Sequence, residues 1–132
     1  MMGEGGFRVL VAASRDWEDG YTVFRVLNEI LDEQGTPLTV IHPGASRGGA
    51  RIAAMWCDVH PAGMIRQVRC PGLRGPEMAE RHGPHLVVAF LMPCGREWCP
   101  RYRVHWDHGP DETVAFARAR GIRVRTLEAV PL

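Results

Sequence analysis

The chain has 132 residues, a length that suits a single domain with a core large enough to fold without staples. Its formal net charge is +1, which gives no general pull toward nucleic acid or an anionic membrane surface. No apolar run approaches the roughly 20 residues that span a bilayer, and four cysteines in a cytoplasmic setting would stand as thiols or metal ligands rather than disulfides.

In chain order, "FRVLVAAS" (Phe7 to Ser14) is a β-rich apolar run suited to a strand buried on both faces. It lacks a basic leader and reads as a first strand, not as a signal peptide. "YTVFRVLNEILDEQG" places Val23, Val26, Leu27, Ile30 and Leu31 at helical spacing and stops at Gly35. "PLTVIH" (Pro37 to His42) predicts a second strand, and "GGARIAAMWCDVH" a helix close to a sheet. "GMIRQVRC" (Gly63 to Cys70) is a weaker third strand, followed by a short helix in "RGPEMAERHG". "PHLVVAFLM" (Pro84 to Met92) is the clearest buried strand. A long loop, Pro93 to Pro110, precedes a helix in "DETVAFARARG" and a last strand in "IRVRTL". This alternation predicts an α/β fold: a Rossmann-like open parallel sheet of about five strands flanked by helices, one domain over residues 1–132. Such sheets bind ligands at the carboxyl ends of their strands.

Three loops therefore fall where chemistry is expected. "ASRDWED" offers Ser14 as a donor to phosphate or ribose, with Arg15 and Asp16 beside it. Ser14 or Asp16 could instead cap the following helix, and Trp17 fits the core better than a base-stacking role. In "HPGASRGGA", Gly44, Ala45, Ser46, Gly48 and Gly49 could wrap backbone N–H groups around an anion at a helix start, with Arg47 or Arg51 adding charge. The same glycines could simply allow a tight turn and close helix packing. All 16 Lys+Arg residues are arginine, which alone says no more than a codon bias would. The third loop holds Cys94, Cys99, His105 and His108 within fifteen residues, a donor set for tetrahedral zinc in the non-standard spacing C-x4-C-x5-H-x2-H. Free thiols and solvated histidines are the alternative, and His108 beside Gly109 could also face an anionic ligand at a helix start. Arg96, Arg101 and Arg103 interleave with Trp98, Tyr102 and Trp106, a mix that fits self-association better than single-stranded nucleic acid.

Taken in order, these motifs resemble the SLOG superfamily, and within it the YspA group of YpsA-related proteins found in actinobacteria and their phages. "ASRDW" stands where the group has a "GSRDW"-like motif, and "HPGASRGGARIAAMW" where it has "HGGARGAD" before "RLAxxW". "PGLRGPEMAERHGPHLVVAF" loosely matches "GPxRNxxM" before a buried strand, and "DHGPDETVAFARARGIRV" a later "SHGT" segment. The likeness spans residues 7 to 126. It implies a Rossmann-like fold and a pocket for a nucleotide-derived ligand related to NAD or ADP-ribose. The superfamily also contains DNA-processing proteins and lonely-guy phosphoribohydrolases. This sequence departs from the group at Ala13, at Ala50 where an Asp is expected, and at Gly75 where an Asn is expected, leaving Arg74 and Met78. The lonely-guy "PGGxGTxxE" loop has Pro110 and Thr113 in place of its Thr and Glu.

The expected ligand set is accordingly Ser14, Arg15, Asp16, Gly44 to Gly49, Arg74, His108 and Gly109. A second reading is a hydrolase cleaving an N-glycosidic bond, for which Asp16 and Glu112 are the candidate carboxylates and Asp111 a further one. A third is an interaction protein, one that handles DNA or forms homo-oligomers. The expected setting is cytoplasmic, with a nucleotide-like small molecule as partner and a structural zinc as the one cofactor the residues suggest.

Overall fold

A computed structural model describes residues 6–95, 99 and 105–129. Strands and helices alternate as β1 (Phe7–Ala13), α1 (Gly20–Gln34), β2 (Leu38–His42), α2 (Gly48–Asp58), β3 (Ile65–Arg69), α3 (Gly75–His82), β4 (Leu86–Leu91), α4 (His108–Ala119) and β5 (Arg123–Glu128). The five strands form one sheet in the order β3-β2-β1-β4-β5, and every neighbouring pair is parallel. Among the described residues no helix is long and apolar enough to cross a membrane.

The sequence explains which strands lie inside. All residues of β2 and β4 are buried, as their unbroken apolar runs require. The edge strands β3 and β5 alternate apolar residues with arginines and are only partly covered. Charged edges of this kind resist pairing with another chain.

The two faces of the sheet have separate cores. Val9, Val11, Val40, Val88 and Phe90 point to the face covered by α1 and α2, against Val23, Val26, Leu27, Ala53 and Trp56. Leu10, Ala12, Ile41, Val87 and Ala89 point to the other face, against Met78 and Ala79 of α3 and Val114 and Ala117 of α4. The chain thus winds outward from β1 through β2 to β3, then crosses and winds outward the other way through β4 and β5. The reversal leaves a crevice at the carboxyl ends of β1 and its neighbours.

The caps at two helix starts are formed by aspartates. Asp19 caps α1 by accepting the Thr22 N–H at 3.0 Å, so neither Ser14 nor Asp16 is the cap. Helix α4 begins at His108, where Asp107 accepts the His108 N–H.

Helix α2 approaches β1 so closely that it leaves no room for side chains at its start. A Cβ on Gly48, whose φ is +79°, would lie 2.6 Å from the Ser14 carbonyl oxygen. One on Gly49 would overlap the Ala13 Cβ. Gly49→Ala should therefore destabilise the fold by about 1–3 kcal/mol, the usual cost of overpacking. Gly109→Ala, where a Cβ meets nothing within 4 Å, should change stability by less than about 0.5 kcal/mol. Urea unfolding of the two variants checks the contrast, and equal midpoints would refute it.

Candidate functional site at the carboxyl edge of the sheet

Ser14 leaves the end of β1 and is almost completely buried, at 1% exposure. Its N–H donates to the Phe90 carbonyl at 3.1 Å, and its own carbonyl accepts from the N–H groups of Trp17 and Gly49 at 3.2 and 3.3 Å. Its hydroxyl donates to the Asp107 carboxylate at 2.7 Å and accepts from the Asp16 N–H at 3.2 Å. The hydroxyl expected to face a ligand is thus directed at Asp107, a residue the sequence reading passed over. An acidic residue just before "HG" at a helix start is a capping signal, but nothing in the sequence links it to position 14. Trp17 is a core residue, against Phe90 with ring centroids 5.3 Å apart, and its indole N–H donates to the Asp19 carbonyl.

Beside Ser14 the crevice opens into two adjoining cavities of about 250 and 450 Å³ that share Ala13, Arg15, Pro43, Leu73 and Arg74. A smaller one of about 140 Å³ lies between Arg15, Ala45, Ser46 and Arg47. The starts of three helices border this space: Arg47 and Ala50 of α2, Arg74 and Gly75 of α3, Gly109 and Pro110 of α4. Arg47 makes no side-chain cap on α2. Helix starts carry partial positive charge, and here three arginines, Arg15, Arg47 and Arg74, add full charges. Gly44, Ala45, Ser46 and Arg47 line the crevice as the sequence suggested. Gly48 and Gly49 instead serve the close packing of α2 on β1, and the Gly49 N–H is already bonded to Ser14. Asp16 borders a different cavity, with Trp17, Asp19 and Glu128, and stands 3.9 Å from Arg47 in an exposed ion pair of little weight.

The turn after β2 is held from beneath by His42, which is fully buried. Its Nδ1 accepts the Gly44 N–H at 3.0 Å, so Nε2 carries the proton and donates to Gln67 Oε1 at 2.6 Å. Gln67 in turn donates to Asp58. Burial lowers the pKa of His42 and nearby Arg69 adds to this, while Gln67 and Asp58 act the other way.

Across the crevice, Arg74 and Glu112 form an exposed ion pair at 2.5 Å. Glu112 is the carboxylate in the lining of the 250 Å³ cavity, and Asp111 is not part of that lining. Close contact of α3 with α4 makes this possible, since a Cβ on Gly75 would overlap the Thr113 hydroxyl.

Behind the start of α4, Cys94, Cys99, His105 and His108 bring one ligand atom each to within 4.8 Å of the others. Cys99 Sγ lies 3.4 Å from His105 Nε2 and 3.5 Å from His108 Nε2, and Cys94 Sγ lies 3.7 Å from His108 Nε2. Tetrahedral zinc with ordinary bond lengths spaces sulfur and nitrogen ligands about 3.5 Å apart, and two nitrogens about 3.3 Å. The sulfur–nitrogen separations fit, and the two imidazole nitrogens, at 2.9 Å, are a few tenths closer. The cluster could hold a metal ion. It also turns His108 away from the role of anion ligand in the crevice. Cys57 and Cys70 are buried elsewhere, and burial pushes the Cys57 thiol up to about 12, which makes it inert. Arg96, Trp98, Arg101, Tyr102 and Arg103 lie outside the described residues.

Residues 7–71 match the YspA, cpYpsA-related SLOG family. The matched span carries Arg15 and the turn from Gly44 to Gly49, and it ends before Arg74 and the Cys/His cluster. Comparison with curated proteins and with solved structures gave no match.

The lowered pKa of His42 makes a pH prediction. The folded chain binds this proton less readily than the unfolded chain, whose histidine titrates near 6.5. The contribution is complete above about pH 6.5 and declines as the pH falls through that value toward the lower folded pKa. His85, also lowered by burial and by Arg8, acts in the same sense. Urea midpoints should therefore drop between about pH 7.5 and 5.5, and His42→Gln should reduce the drop. An unchanged drop in the variant would contradict the assignment.

Proposed function

We propose that the crevice binds a nucleotide-derived ligand, related to NAD or ADP-ribose, and holds it by phosphate. One observation carries the reading: three helix starts and three arginines border two adjoining cavities at the point where the sheet reverses. Neutral ligands gain nothing from that field, whereas a phosphate gains both backbone N–H donors and charge-assisted bonds. Arg15 and Arg47 would take the phosphate beside Ala45 and Ser46. The neighbouring cavity, with Ala12, Leu73, Met78 and Pro110 in its wall, would take the less polar part. The family match over residues 7–71 supports the same class of ligand.

Binding is preferred to glycosidic cleavage for a geometric reason. Of the two candidate carboxylates, Asp16 borders another cavity and Glu112 is paired with Arg74. Glu112 fits better as an acceptor for a sugar hydroxyl, with Arg74 free to exchange toward the ligand.

The Cys/His cluster is proposed to hold a structural zinc. Two thiolates and two imidazoles fill all four positions of a tetrahedral ion, which leaves none open for a substrate. Thiols kept for metal also suit a reducing compartment such as the cytoplasm.

Native mass spectrometry of protein purified without added ligand tests both parts. The expected result is one zinc per chain, removed by a strong chelator, and a retained or readily bound nucleotide. In calorimetric titrations with ADP-ribose, Arg15→Gln should weaken binding by about 10- to 100-fold, the effect of losing a hydrogen bond to a charged group. A bare polypeptide mass together with no binding across a panel of nucleotides would overturn the reading.

A further inference from the structure

We propose that Asp107 is a positioning residue that ties the Cys/His metal centre to the ligand crevice, so that metal retention and ligand binding strengthen each other. The inference rests on the nucleotide and metal readings above and adds a link between the two sites.

The link consists of few atoms. His108, one of the four ligating residues, is the first residue of α4, and Asp107 precedes it. One oxygen of the Asp107 carboxylate accepts the His108 N–H at 3.0 Å. The other accepts the Ser14 hydroxyl at 2.7 Å. The Asp107 N–H donates to the Met92 carbonyl at 2.7 Å, and the Cys94 N–H donates to the His105 carbonyl at 2.7 Å. Two ligating residues therefore sit on the neck of the loop that places Asp107.

On the crevice side each residue bonded to this carboxylate adjoins a wall. Gly109, Pro110 and Thr113, just beyond His108, form the α4 wall. Ser14 directly precedes Arg15 and accepts the Gly49 N–H at the start of α2. A bound metal fixes His108, and with it a helix start that would otherwise fray at little cost. Asp107 then holds Ser14, and Ser14 holds the segment that aims Arg15 and seats α2. A ligand gripped by Arg15 and by the α2 and α4 starts favours the same arrangement. Linkage requires the effect to be equal in both directions.

The test is the rate at which the zinc-loaded full chain gives up its metal to a chromophoric chelator, with and without saturating ADP-ribose. In the parent protein the nucleotide should slow release by about tenfold, within the usual range of coupling between sites. Ser14→Ala should release zinc several-fold faster without ligand, and the slowing by ADP-ribose should largely vanish. Trp56→Phe, which loses the bond from the indole N–H to Asn28 in the opposite core, controls for general destabilisation and should release zinc at the parent rate. Release from Ser14→Ala at the parent rate would overturn the tie, whatever the nucleotide does. So would faster release from Trp56→Phe to the same degree, or failure of the chain to load a metal at all. If ADP-ribose binds in calorimetry yet leaves the parent rate unchanged, the coupling is overturned; if calorimetry shows no binding while Ser14→Ala still speeds release, the nucleotide reading fails instead.

Discussion

The carboxyl edge of this sheet is organised around the environment of one serine. Ser14 ends β1, the central strand, and is buried with both backbone groups and its hydroxyl engaged. Its partners belong to β4, the start of α2 and the start of α4. A buried polar side chain without partners would be costly, so its bonds must all form together. That condition places the starts of two helices around the end of β1. An alanine here would bury no polar group, but it would leave the Asp107 carboxylate without its hydroxyl donor. Asp107 would keep the His108 N–H, but losing one hydrogen bond to a charged group costs more than losing one between neutral groups.

The same arrangement explains why the glycines of the second loop are where they are. Helix α2 must come near enough for the Gly49 N–H to reach the Ser14 carbonyl, and at that distance neither Gly48 nor Gly49 can carry a Cβ. Close packing and anion binding are not rivals at this position. The glycines bring the helix in, and the turn before them, held by buried His42 through Gly44, presents Ala45, Ser46 and Arg47 to the crevice. The sheet topology does the rest by placing the reversal of winding beside the same strand.

Much of this was legible in the sequence. Periodicity gave every strand and helix, because each apolar run is either fully buried or clearly one-sided, and the burial of Trp17 followed from its size. The crevice loops could be named, because parallel sheets put them at one edge. What could not be read was the division of labour within them. Ser14 and Asp107 are 93 positions apart in the chain, and neither type of residue announces the other. The separation of Asp16 from Glu112 into different cavities likewise depends on which way a short turn bends. The four residues of the Cys/His cluster were visible as a donor set, yet only the fold shows that Cys94 and His105 meet across a loop neck.

The Cys/His cluster also bears on a physical problem posed by the loop itself. The connection from β4 to α4 runs from Met92 to Asp107, long for a compact domain, and its described part contributes little to either core. Trp106 packs on the edge of one core, and a bridge between Pro93 and Trp106 closes the neck. Four bonds to one ion would offset much of the entropy of ordering the residues that carry them. The Cys/His cluster lies outside the family-matched span, next to the half of the crevice formed by α3 and α4. The matched span supplies Arg15 and the turn before α2, the half suited to a phosphate. On the nucleotide reading, discrimination among ligands that share a phosphate then falls to Arg74, Glu112 and the wall of α4. That wall is the element whose first residue the metal would fix, so the ion that orders the loop would also set the shape of the selective half of the site.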